Sequence, residues 1–552
     1  MAKLTYDIPP IGGLKTDLPA NLLKRHYSPR LSGMWPIDGQ MCRIPGKQKY
    51  SSTQMVGGAV LALYSFILDT GDRYLLAVTP DKVYKFNPTT DAFDSIHDAT
   101  DFTTTDNDHF AIATFFDGSG NEIAIISNLT DAVRKWDGSA GTIATLAGTP
   151  PNARTLCVFE NYLLAGYTVE SGTDYPRRVR YSALSNGESW PSENYFDLKK
   201  DSHQIVSIKR ISGRAAVYKE NSITLVDYIG GGLTFNSIEN YIGDKGPVNN
   251  DCIVSYGEGL EAHYFISNDL KAYRFDGIEC QPIGGNIQSI IQNINPTYKT
   301  NISGTALKEE NKIVWAVPFD TDETCKDLLI YDVRDKTWWV KESEAIAVSS
   351  WGAVKLETTY TWDTLPFDKW DDWDDPGGWN SRHLIAGASE FLIGCVDGHV
   401  RKFVGGVDDD GEDIASRYRY PFDNLDGHND RLKILTRIIL ELEHKSNETI
   451  ILQVYKNNND NDPVVVNDDG DRSINVALTG EDNDQQFIYK AIDVCVRGHN
   501  FMFELTSTNV AWSGKILVVE YNYDGHIPKN TDQTGDTWQG SEFTWGGEIA
   551  TW

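Results

Sequence analysis

The chain has 552 residues, 40% of them hydrophobic, which gives room for about two to four domains with real cores and excludes a disordered tail or a linker. Its 79 acidic against 50 basic side chains leave a formal charge of -29, which argues against a general binder of nucleic acid or anionic membrane, because phosphates are held by Lys and Arg. A plainer reading of the charge, solubility, stands beside any functional one.

At the N-terminus MAKLTYDIPPIGG has no apolar run of signal-peptide length, and no later stretch reaches the span of a membrane helix. The expectation is a protein made and kept in the cytoplasm, or one that leaves by a route needing no signal. LLKRHYSPR (22–30) is a basic cluster in this acidic chain, with Lys24, Arg25, His26 and Arg30. It is either a surface loop balancing local acids or a contact, since Arg forks suit carboxylates and phosphates alike. The cysteines at 42, 157, 252, 280, 325, 395 and 495 stand singly, without CxxC or zinc spacing, and read as buried thiols.

From Ala59 onward the pattern is strands and tight turns. AVLALYSFIL, RYLLAVTP, KVYKFNP and AFDSI form one four-strand run; HFAIATFF, EIAIISN, AVRKWDG and IATL form the next. Copies recur about every 45 residues, the period of propeller blades. The marker is the third strand, an alternation ending in an aromatic and a turn: KVYKFNP (82–88), AVRKWDG (132–138), LKAYRFDG (270–277), LLIYDVRDKTWW (328–339) and HVRKFVGG (399–406). RRVRYSALSNGESW (177–190) and GRAAVYKENSITLVDYIGG (213–231) fall between, with Arg178 and Arg180 expected on a solvent face. GDKGPVNN (243–250) reads as a blade connection, and only 286–293 hints at a helix. An open first or last blade would leave an unpaired edge, so GQMCRIPGKQKYS (39–51), a strand with no repeat of its own, is expected to complete the last blade.

TWDTLPFDKWDDWDDPGGWNS (361–381) interrupts the last blade with Trp362, Trp370, Trp373 and Trp379 among aspartates. Three readings stand: an ordered loop packed on the propeller face, an interaction loop with tryptophan anchors, or a cation loop using Asp368, Asp371, Asp372, Asp374 and Asp375. After VDDDGEDIAS, an acidic turn-rich linker, long alternating strands such as LKILTRIILELEH and GKILVVEYNYDG predict an antiparallel sandwich. The tail DTWQGSEFTWGGEIATW repeats Thr-Trp, and Trp538, Trp545 and Trp552 read as docking residues.

The expected fold is all-β: an N-terminal extension (1–57), a propeller of about seven blades (58–406, with an insertion at 355–382), a sandwich (407–525) and a Trp-rich tail (526–552). No Asp-box phrase, Walker loop, HExxH or GxSxG is present. The expectation is no catalytic residue, no cofactor and no metal.

GGLKTDLPANLL with a strand ending in RIPG, RVRYSALSNGESW, YFISNDLKAYRFDGIECQPIGG and KIVWAVP followed by LLIYDVRDKTWWVKE resemble, in serial order over about residues 10–405, the β-propeller tail proteins of short-tailed bacteriophages. These are the tail nozzle and packaged-DNA stabilisation proteins, and the sandwich to about 525 is similar too. The resemblance implies a virion protein, made in the host cytoplasm, that forms a ring with itself, usually of six copies. Such a ring meets the tail adaptor and portal-proximal proteins above and fibre or spike proteins around it. It continues the DNA channel, retains the genome and passes it out at infection, with no sequence-specific DNA binding and no membrane insertion. The charge suits a low-friction conduit, and Lys24, Arg25, His26 and Arg30 would then contact the adaptor or the DNA. The alternative is a propeller that binds or cleaves glycans at the host surface.

Overall fold

The computed structural model describes residues 2–6, 9–37, 39–98, 100–139, 141–231, 233–257, 261–343, 346–355, 389–402, 408–443, 448–467, 470–479, 487–508, 512–523, 543–545 and 548–550. Seven four-stranded antiparallel sheets follow one another along the chain, and a further four-stranded and a five-stranded sheet come after them: a seven-bladed β-propeller followed by an antiparallel β-sandwich. Blades 1 to 7 begin with the inner strands Ala62–Ile67, Ala111–Phe116, Asn152–Phe159, Ile205–Ile211, Val254–Tyr256, Ser303–Leu307 and Val348–Lys355. The marker phrases lie on their blades' third strands, as in Val83–Asn87, Arg134–Trp136 and Ala272–Phe275, and LLIYDVRDKTWW runs on into the fourth strand of blade 6, Thr337–Lys341. The marker aromatic is a wedge between blades: buried Trp136 of blade 2 meets Phe66 and Tyr74 of blade 1 at ring separations of 5.8 and 5.0 Å. The helical hint shrinks to a 3-10 turn at Gly285–Ile287 and one α-turn at Gln288–Ile291.

The N-terminal extension is not one strand but a thread through both domains. Ala2–Thr5 adds to an outer edge of the sandwich beside Gly514–Tyr523, and Leu31–Ser32 pairs with Ala415–Arg419 in the other sandwich sheet. Between them Leu14 N–H donates to the Trp338 carbonyl of blade 6 at 2.8 Å. Met34–Ile37 and Gln40–Arg43 then form a hairpin of their own, and only Gln48–Lys49 reaches blade 7, pairing with Arg401 and Lys402. The split follows from burial: Met34, Trp35, Met41 and Ile44 belong to one apolar core shared by blades 4 to 7 and the sandwich.

The acidic linker is a clasp. Asp409 is 3% exposed and accepts from Lys341 Nζ at 2.8 Å, from the Lys47 backbone N–H at 2.9 Å and from Ser343 Oγ at 3.1 Å, with Lys47 Nζ at 3.9 Å. Burial works against its carboxylate, yet Lys341 and Lys47 outweigh burial and hold its pKa below the ordinary value. Burial also pushes Lys341 down to about 8. The neighbouring Asp410 binds Arg401 at 2.8 Å and Lys49 at 3.4 Å, across the two strands that close the ring. The joint is so tight that a Cβ on Gly46 would stand 1.8 Å from the Asp408 carbonyl oxygen.

The thiols divide. Five cysteines are buried, whereas Cys42 is half-buried and Cys495 exposed, the latter at an outward position of the alternating strand Phe487–Gly498. All seven are free.

Asp409→Asn removes the one carboxylate between two buried ammonium groups. It is expected to lower the unfolding free energy by about 3 kcal/mol or more. Denaturant unfolding of the variant measures it, and a loss below about 1 kcal/mol would mean the lysines find compensation elsewhere.

Candidate functional site

The inner strands of the blades converge on the propeller axis, where a cavity of about 210 Å³ opens. Its walls are apolar from blades 1, 2 and 3, with Leu61, Leu63, Phe110 and Leu156, and mixed elsewhere, with Lys209, Asn250, Asp251 and Ser303 beside Ile253 and Trp351. The volume lies below the roughly 300–1,000 Å³ of ordinary ligand pockets.

One mouth of this axis is spanned by an ion pair. His109 precedes the inner strand of blade 2 and Asp251 that of blade 5, three steps away in a ring of seven. His109 Nδ1 donates to Asp251 Oδ2 at 2.8 Å. Asn301, before blade 6, donates from Nδ2 to Asn107 Oδ1 at 3.3 Å. Asn250 is the hub of the floor: its Oδ1 accepts from Ser207 Oγ at 2.6 Å and Thr155 Oγ1 at 3.4 Å, and its Nδ2 donates to Asp251 Oδ1 at 3.0 Å. Five blades are thereby cross-tied at the centre. Burial disfavours the imidazolium, but the Asp251 carboxylate outweighs it and holds the His109 pKa above its ordinary value. Burial likewise raises the Asp251 pKa, and His109 more than reverses that. The axis is a tied hub.

None of these hub residues was anticipated from sequence. The signal was present in HF before the first strand of blade 2 and NND before that of blade 5, but polar residues at blade starts carry no period and read as turns.

The basic cluster is split by the fold. Arg25 is held by Asp423, with Nη2 to Oδ1 at 3.2 Å, and its guanidinium lies 5.3 Å from the Tyr6 ring centre. Tyr6 donates to the same carboxylate at 3.0 Å, so Arg25 pins the N-terminal thread to the sandwich. Burial and the Lys24 charge push the His26 pKa below its ordinary value. Lys24 and Arg30 present their side chains to solvent.

Arg178 and Arg180 are not the solvent residues their alternation suggested. Arg180 is buried and donates to Glu170 Oε2 at 2.8 Å, while Arg178 binds Asp197 at 2.8 Å between the rings of Tyr175 and Tyr195. The partner carboxylates lie on flanking strands, beyond the reach of a local pattern.

Trp362, Trp370, Trp373, Trp379, Trp538 and Trp552 lie outside the described residues, as do Asp368, Asp371, Asp372, Asp374 and Asp375. Trp545 ends the short strand Phe543–Trp545, which pairs with Glu548–Ala550. Among the described residues no three His, Cys, Asp or Glu side chains form a group able to hold a metal ion.

No protein-family model matches the chain, and no curated protein matches it. Among solved structures the chain is similar to the WD40 beta propeller domain of Doa1, at 11% identity and a TM-score of 0.37, over 65% of this chain and 97% of that one.

The His109–Asp251 tie has a defined pH window. A raised histidine pKa means that its stabilisation is full below the unfolded value near 6.5 and lost as pH rises through the folded value. The depressed Asp251 pKa means that its share is lost only in acid, as pH falls through the folded value. The stability difference between wild type and His109→Gln is therefore expected to be larger at pH 6 than at pH 9. Urea unfolding at both pH values checks it, and an equal difference at both would show that the pair is uncharged.

Proposed function

We propose that this chain is a structural protein of a short-tailed phage tail, a nozzle whose copies form a ring that continues the DNA channel, retains the packaged genome and releases it at infection. The observation that carries the reading is the serial order of the resembling phrases, set on a propeller followed by a sandwich that share one core. A part that transmits load between a portal and the outer tail needs domains that do not swing, and the buried Asp409 clasp joins the N-terminal thread, blade 6 and the linker at one point.

In this reading the conduit runs between copies, not through the propeller, because the propeller axis is tied across by His109 and Asp251. The charge of -29 then faces a polyanion, and a channel lined by such subunits leaves DNA few lasting contacts. Lys24 and Arg30 are the members of the basic cluster left to meet an adaptor or the DNA. The Trp-rich segments at 361–381 and 536–552 serve as contacts with neighbouring tail proteins.

Two measurements test the reading together. The protein is expected to co-purify with virions at several copies per particle, and the isolated protein to show no steeply salt-dependent retention of duplex DNA near physiological ionic strength. Absence from purified particles, or turnover of host-surface glycans by the pure protein, would overturn it.

A further inference from the structure

Blades 3 and 4 differ from the rest of the molecule in charge. Residues 152–243 hold ten basic and ten acidic side chains, so the other 460 residues carry the whole formal charge of -29. Copies of so acidic a chain repel one another over most of their surface, and least where this neutral zone is presented.

The same zone concentrates exposed apolar surface. Eight of the seventeen exposed large apolar side chains among the described residues fall in it. At its rim the third strand of blade 4, Ser222–Tyr228, turns back into the outer strand Phe235–Gly243, and the turn carries Ile229 at 56% and Leu233 at 60% exposure. Exposed Tyr228 flanks it. The base is rigid: the Tyr228 ring centre is 5.9 Å from buried Phe235, which also meets Tyr181 at 5.0 Å and Phe196 at 6.3 Å.

The outer strand is bulged where the register shifts opposite Ile223 to Leu225, with Asn240 at φ 53°. A bulge discourages addition of a further strand along that edge, so the rim is offered through side chains. Pairing this face with itself would close a two-fold dimer, whereas a ring requires it to meet a different face of the next copy. The faces available on that copy are the acidic ones, which a neutral zone meets without the like-charge repulsion that any other face would bring.

We propose that this rim, centred on Ile229 and Leu233 with Tyr228, is the seat of a second copy of this chain, and that it supplies the subunit contact of the ring. The assignment rests on the ring reading above, and the experiment separates the two. Ile229→Glu with Leu233→Glu is compared with Ile278→Glu, which alters an exposed apolar residue of blade 5. Sedimentation velocity over a concentration series reads assembly, and thermal unfolding reads the fold. The double variant is expected to keep its unfolding temperature and to need at least about tenfold more protein to assemble, with the control unchanged. If a folded double variant assembles like wild type, the rim is not the contact and the ring reading survives. If wild type stays a single copy both free and in particles, the ring reading fails and takes the rim with it. Should the double variant unfold, a photo-reactive residue at 229 or 233 in the otherwise unchanged chain decides: a cross-link to a second copy supports the rim, and none overturns it.

Discussion

One carboxylate between two lysines holds the molecule's parts in relation. Asp409 lies where the propeller ends and the sandwich begins, Lys341 on the outer strand of blade 6, and Lys47 just before the strand that closes blade 7. Each ammonium group is fully buried, so each needs a fixed anion, and the same anion must serve both. That requirement sets the path of three chain segments, since moving any one away would leave a buried charge without its counter-ion.

Around this point the two domains lose their separateness. The shared core includes Met34 and Trp35 of the N-terminal hairpin, Trp338 and Trp339 of blade 6, and Tyr418 and Tyr420 of the sandwich. A hinge needs a boundary with few crossing contacts, and the thread from Ala2 to Lys49 crosses this one repeatedly. The hub on the axis does the same for the propeller alone. His109 and Asp251 tie opposite blades, so the ring resists shear as well as opening.

The propeller was legible because its signal repeats. Strand alternation, an aromatic at the end of each third strand and a turn after it recur often enough that weak blades such as the one holding RRVRY are placed by their neighbours. The sandwich was legible from long alternation, as in Lys433–Glu443. What escaped was everything that happens once. Ala2–Thr5 and Leu31–Ser32 are too short for any period, and their pairing with strands from Gly514 and Ala415 is decided by tertiary contact. The linker read as solvated because aspartates in a row are solvated by default, and only its lysine partners, far off in sequence, make Asp409 a core residue. Arg25 read as part of a surface cluster balancing local acids or making a contact for the same reason, its partner Asp423 being remote.

The threading of the N-terminal segment also sets the order of events in synthesis. Residues 2–49 leave the ribosome well before their partners at 400–402, 415–419 and 514–523. At about 5–20 residues per second the early segment waits on the order of 20–100 s with Met34 and Trp35 uncovered. Blades 1 to 6 can form meanwhile from local hairpins, but the ring stays open until the C-terminal half is made. An incomplete chain therefore keeps an unsealed edge and a bare apolar hairpin, the features that proteases and chaperones bind, and so cannot pass for a finished subunit.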